Sequence, residues 1–185
     1  MTDLLSPSDV LDFWKEAGPK LWYAKDAAFD DRFRTTFAEG HAAAARRALD
    51  GWMETAEGAL GLMILLDQYP RNSFRETGHA FATDGLALMF AKAAVARGYL
   101  AAVDPEMRQF FLTPYEHSER LADHDELRVV LAQGLGAELP DVDRFAVIHR
   151  DIIVKFGRFP HRNRALGRET TAEEQAFLDE GGFAG

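Results

Sequence analysis

The stretch "TAEGALGLMILLDQYPRN", Thr55 to Asn72, constrains the fold more than any other part of the chain. Its uncharged apolar run, Gly58 to Leu66, is hydrophobic all round, so as a helix it must be covered on every side. The run is far short of the ~20 residues needed to span a bilayer. It reads as a buried core helix, capped by Thr55 and ending before Pro70, because the residue preceding a proline is pushed away from the α region.

A core helix needs a shell, and the rest of the sequence is punctuated as helices. Ser6 offers an N-cap with Pro7 and Asp9 in the first turn, and that pattern stops at Gly18-Pro19. Phe29, Phe33 and Phe37 recur every four residues in an amphipathic helix ending before Gly51. A fourth helix runs through "HAFATDGLALMFAKAAVARG", with Gly98 just past its end. Asp104-Pro105 opens the next, with Pro114 inside or just after it; mid-helix, that proline would cost about 3 kcal/mol. "DELRVVLAQGLG" is helical, another helix begins at Asp141, and Thr171-x-x-Glu174 is a capping box for a short last one. Only the Gly-rich tail, Glu180 to Gly185, reads as frayed.

No alternating polar–apolar run supports a strand, and no Asn-Gly hairpin turn occurs. The expectation is an all-α single domain over residues 1–185, with seven to eight antiparallel helices. The helix-pair spacing suggests a repeat-like array, although a 34-residue tetratricopeptide consensus is not legible.

Composition narrows the function classes. A net charge of −9, from 21 basic and 30 acidic residues, argues against nucleic-acid or anionic-membrane binding. The absence of cysteine excludes disulfides, thiolate zinc sites and cysteine nucleophiles, and fits a cytoplasmic location. "MTDLLSPSDVLDFW" lacks the basic-then-apolar layout of a signal peptide. No His-x-His or His-Glu-x-x-His pattern points to a metal, and no phosphate-loop or dinucleotide glycine pattern points to a cofactor. Against the acidic background, Arg144 to Arg168 holds seven basic residues and one acid, Asp151, a local charge of +6.

That basic segment contains "FGRFPHRN", which repeats the aromatic–Pro–Arg–Asn phrase of "LLDQYPRN". Proline fixes φ at each turn, so flanking polar side chains are aimed with little entropy loss. At the first turn, Asp67 sits in the last turn of an apolar helix, where a carboxylate needs a cation; Arg71 can form a two-pronged pair with a carboxylate. Near the second, Phe145, Ala146, His149, Ile152, Ile153 and Phe156 share a stripe, so His149 faces inward, and Arg158, His161, Arg162 and Asn163 surround Pro160. A third element, "PYEHSE", supplies Glu116 and His117. Carboxylates, imidazoles and guanidiniums in this mixture suit an anion held by arginine, with His and Glu available for proton transfer. Each has a plainer reading. Asp67 with Arg71 is also a structural ion pair, His149 a satisfied core histidine, and Asn72 and Asn163 turn caps.

The segments "VLDFW", "EGALGLMILLDQYPRNSFR", "AFATD", "PYEHSE" and "HRDIIVKFGRFPHRNRALGRETTAEEQAFL" resemble the bacterial domain-of-unknown-function family 924. The resemblance runs from Val10 to Leu178, about residues 8–180. It implies a tetratricopeptide-like helical fold and, at the family's polar positions, Asp67, Gln68, Arg71, Asn72, Glu116, His117, Ser118, Glu119, His149, Arg158, His161, Arg162 and Asn163.

Three functions are consistent with these residues. The first is binding of a small anionic ligand, with Arg71, Arg158 and Arg162 on the anion, Asp67, Gln68 and Asn163 orienting them, and Asn72 and His149 completing the site. The second is a metal-independent acid–base enzyme using His117 or His161 with Glu116. The third is a scaffold that binds a protein partner through a groove recognising an acidic or C-terminal peptide. Nothing in the pattern specifies an oligomeric state.

Overall fold

The computed structural model describes residues 5–183. The chain gathers into two compact helical units, one of residues up to Arg75 with His79–Pro114, the other of Glu76–Gly78 with Tyr115 onward.

In the first unit, α1 (Pro7–Trp22) starts at the expected N-cap Ser6, which forms a capping box with Asp9. Gly18, at φ +68°, kinks it, and Trp22 Nε1 donates to the Trp14 carbonyl across the kink at 2.7 Å. Asp26 caps α2 (Ala27–Ala45), accepting from the Phe29 amide at 2.9 Å. Phe29, Phe33 and Phe37 are buried against Phe13 and Trp14. Each contributes roughly 1.5–3 kcal/mol by leaving water. The helix stops at Ala45, earlier than the apolar pattern indicated. Arg47 takes a left-handed φ of +64°, its guanidinium on Asp50, and a 3-10 turn Asp50–Glu54 leads to the central helix.

That central helix is α3 (Ala56–Met63), every residue from Gly58 buried. Contrary to the sequence reading, it does not end before Pro70. It passes through a π turn (Ile64–Gln68) into α4 (Tyr69–Ser73), with Tyr69 fully helical at φ −53° and ψ −48°. The wider turn lets the Tyr69 amide reach the Ile64 carbonyl five residues back, and Pro70 stands in the first turn of α4.

After the 3-10 turn Gly78–Phe81, α5 (Asp84–Ala96) packs on α3, and Gly98 follows it in the left-handed conformation as expected. "PEMRQFF" is 3-10 rather than α, and Pro114 lies in the first turn of α6 (Thr113–Glu116), where no intrahelical N–H is required. The mid-helix penalty therefore does not arise.

In the second unit, α7 (Leu121–Val130) continues through a π turn (Leu131–Leu135), kinked at Gly134, into α8 (Gly136–Glu138). It packs against α9 (Pro140–Phe156), whose inward stripe includes Ala146, His149, Ile152 and Ile153. The capping box of Thr171 and Glu174 opens α10 (Ala172–Asp179). Ile152, Ile153 and Phe159 form a core cluster, with Phe156, Phe177 and Phe183 packed on it. Counting the helices that continue through π turns once each, the described residues form eight helices and no strand. No helix among them is long and apolar enough to cross a membrane.

Candidate functional site

The sequence-predicted residues fall into two sets, one in each unit. Asp67, Gln68, Arg71 and Asn72 stand on the π turn of the first. There the wide turn and Pro70, which lacks an N–H, leave helix carbonyls to be satisfied from outside. His41 Nδ1 takes the Leu65 carbonyl at 2.9 Å, Thr83 Oγ1 donates to Leu66 at 2.5 Å, and Arg71 Nη1 donates to Asp67 at 2.8 Å. Three successive carbonyls thus meet three side chains.

The Asp67 carboxylate is fully buried. It accepts from Gln68 Nε2 at 2.6 Å and Thr113 Oγ1 at 3.2 Å, and lies 3.2 Å from Arg71 Nη1. The two-pronged partner of Arg71 is Asp84, which was not anticipated, at 2.9 and 3.0 Å. Burial works against the Arg71 charge, but the Asp67 and Asp84 carboxylates outweigh it and hold the guanidinium firmly protonated. Asn72 Nδ2 donates to Asp30 Oδ1 at 2.8 Å, and Arg75 grips the same carboxylate at 2.6 and 3.0 Å. With two carboxylates around one guanidinium, this end of the unit has the wrong charge balance for an anion. Arg71 and Asn72 have the geometry of an internal polar network.

The second set surrounds the corner Phe159–Asn163, where Pro160–Arg162 form a 3-10 turn after α9. Two ion pairs hold this corner. Glu119 and Arg168 meet at 2.7 and 2.9 Å; Glu119 also accepts the Phe159 amide at 2.8 Å, and Arg168 donates to the Phe159 carbonyl at 3.1 Å. Burial pushes the Glu119 carboxyl up, but Arg168 and the Phe159 amide overcome it and leave the group below its ordinary range. On the other side, Arg158 grips Glu174 at 2.6 and 2.9 Å. Glu174 also accepts from the Thr171 amide at 2.8 Å and from Asn163 Nδ2 at 3.2 Å. The Arg158 guanidinium draws the Glu174 carboxyl down to about 2.

Within that frame, Phe159 is the hub. The Arg162 guanidinium lies over its ring with Cζ 4.5 Å from the centroid, and Arg162 is only 6% exposed. The rings of His161, His149 and His124 approach Phe159 at 5.5, 5.6 and 6.3 Å. His149 Nδ1 stands 3.3 Å from Glu116 Oε2, both residues being buried. His124 Nε2 lies 2.8 Å from the Ser118 carbonyl, and its Nδ1 is buried with no hydrogen bond among the described residues. Nε2 therefore carries a proton, and burial pushes the ring's pKa down. His117 occupies the turn between α6 and α7, half-buried.

The structure thus gathers Glu116, His149, Arg158, His161, Arg162 and Asn163 in one unit. Sequence reasoning missed Arg168, Glu174 and His124 as parts of this corner and did not give Glu119 its role there. The signal for Arg168 was its place at the end of the +6 segment, and for Glu174 its place in the capping box. Open grooves also occur in the first unit. One of about 520 Å³, lined by Lys15, Pro19, Trp22, Asp104, Pro105 and Met107 among others, belongs to the first unit and holds none of the predicted site residues. No group of three or more potential metal ligands converges among the described residues.

An all-helical fold with a polar corner clamped at a proline turn is the class these features define. The profile of the bacterial proteins of unknown function designated DUF924 matches residues 10–182, and the chain belongs to that family. It is similar to the solved structure of a protein of unknown function from Agrobacterium tumefaciens. The two are 49% identical, over 94% of this chain and 97% of that one, with a TM-score of 0.86. No curated protein matches.

Proposed function

We propose that the protein binds a small anionic ligand, a carboxylate or phosphorylated metabolite, at the Phe159–Asn163 corner. The observation that carries this reading is a division of labour among the arginines. Arg158 with Glu174 and Arg168 with Glu119 hold the turn, and Arg162 has its guanidinium over Phe159, the ring that His161 and His149 also approach. A guanidinium fixed on an aromatic face loses little freedom on gripping an anion, and desolvation strengthens the contact. Arg71, with its two carboxylate neighbours, is left out of the anion contacts.

Thermal unfolding in inorganic phosphate, citrate and malonate, against chloride at equal ionic strength, tests this. The wild type gains stability with one of these anions, by about 2.7 kcal/mol at a hundredfold excess over Kd. Arg162→Lys, which keeps the charge but not the fork, loses most of the gain, and Arg162→Ala loses all of it. A wild type that responds to none of them overturns the proposal.

The buried Glu116–His149 pair favours a second activity at the same corner, proton transfer to or from the bound ligand. A carboxylate oxygen 3.3 Å from an imidazole nitrogen favours the protonated form of the ring. Glu116→Gln should make His149 protonate at lower pH in an NMR titration. An unchanged titration removes the pair from any acid–base role.

A further inference from the structure

The chain returns to this corner after α10. The helix ends in a Schellman motif: the Gly182 amide donates to the Phe177 carbonyl at 2.9 Å and the Gly181 amide to Leu178 at 3.1 Å. Both glycines are required. Gly181 has φ +82°, and a Cβ on Gly182 would stand 2.5 Å from the Phe177 carbonyl oxygen and 2.6 Å from its ring. The turn reverses the chain and brings Phe183 edge-on to His149, at 4.5 Å and 83°, and to His161, at 5.5 Å and 71°. His149 is 5% exposed with this ring against it, while Phe183 itself is half-buried.

We infer that Phe183 is a lid over the His149–His161 face of the corner, seated by the Gly181-Gly182 turn and displaced when a ligand reaches the imidazoles. The inference rests on the anion-binding reading for what the lid admits, but not for its existence. Phe183 packs on the Ile152–Ile153–Phe159 cluster from outside and lies beyond the last residue of α10, so its displacement is a local opening that requires no helical residue to move. An aromatic ring over two imidazoles also excludes water from groups whose electrostatic strength depends on a dry setting.

Imidazole acylation by diethyl pyrocarbonate, mapped by mass spectrometry, reads the lid directly, with exposed His79 as the internal reference. His149 reacts slowly in the wild type and in Phe183→Leu, and at least tenfold faster in Phe183→Ala and in Gly182→Ala, which forces the turn open. Circular dichroism establishes that the variants keep their helices. Equal His149 rates in the wild type, Phe183→Ala and Gly182→Ala overturn the lid, whatever anions do. Phosphate, citrate and malonate without effect on thermal unfolding overturn the anion reading alone, leaving a faster His149 reaction in support of the lid.

Discussion

Glu119 and Arg168, 49 positions apart, form a two-pronged ion pair that also takes both backbone polar groups of Phe159. One pair therefore fixes the direction in which the chain leaves α9, and with it the placement of His161, Arg162 and Asn163.

Breaking that pair from one side should be costly. Glu119→Gln leaves Arg168 without its counter-charge, and a loss of about 2–3 kcal/mol in urea unfolding is expected. Arg168→Met should cost a similar amount, and the double variant much less than the sum, because the second substitution removes a charge already stranded. Additive losses would show that the pair does not act as a unit.

The π turn makes a separate prediction. Thr83→Val preserves shape but strands the Leu66 carbonyl, with an expected loss of about 1–3 kcal/mol. Pro70→Ala supplies the missing N–H one helical turn along, so in the Thr83→Val background it should recover part of that loss. If Pro70→Ala gives no recovery there, the proline is not what leaves the carbonyl open.

Acid should loosen the corner through Glu174. Its folded pKa, about 2, lies below the ordinary 4.5, so it contributes stability fully above pH 4.5 and loses it as pH falls towards 2. Urea midpoints measured across this range should fall steeply for the wild type and more gently for Glu174→Gln, which is less stable at pH 7. Parallel slopes would contradict the assignment.

His124 titrates in the opposite sense for a histidine gaining a partner. Burial depresses its folded pKa below the ordinary 6.5, so its contribution is complete above pH 6.5 and declines as pH drops towards the folded value. Imidazole ¹⁵N shifts followed through a pH titration should give a midpoint below 6.5 and, in the neutral form, the proton on Nε2. A midpoint at or above 6.5 would refute this.

Much of this architecture was legible in one dimension. Helix starts at Ser6, Thr55 and Thr171 follow from side chains that bond the amides of the next turn, a purely local interaction. The inward face of α9 follows from its 3.6-residue period, which placed His149 among apolar neighbours. The continuation of α3 past Pro70 was not legible. It depends on His41 and Thr83, donors from outside the helix, and the local proline rule does not know of them.

Charge identity was likewise readable, but charge pairing was not. The sequence shows Arg71 four residues after Asp67, yet the guanidinium gives its two prongs to Asp84, thirteen positions on. It shows Arg158, Arg162 and Arg168 as one basic run, and only the fold brings Arg158 to Glu174, Arg168 to Glu119 and Arg162 over Phe159. Caps and stripes arise within a turn or two of helix, so residue order suffices to specify them. Ion pairs and freed carbonyls are settled by which distant side chains arrive within about 3 Å, and that is a property of packing in three dimensions.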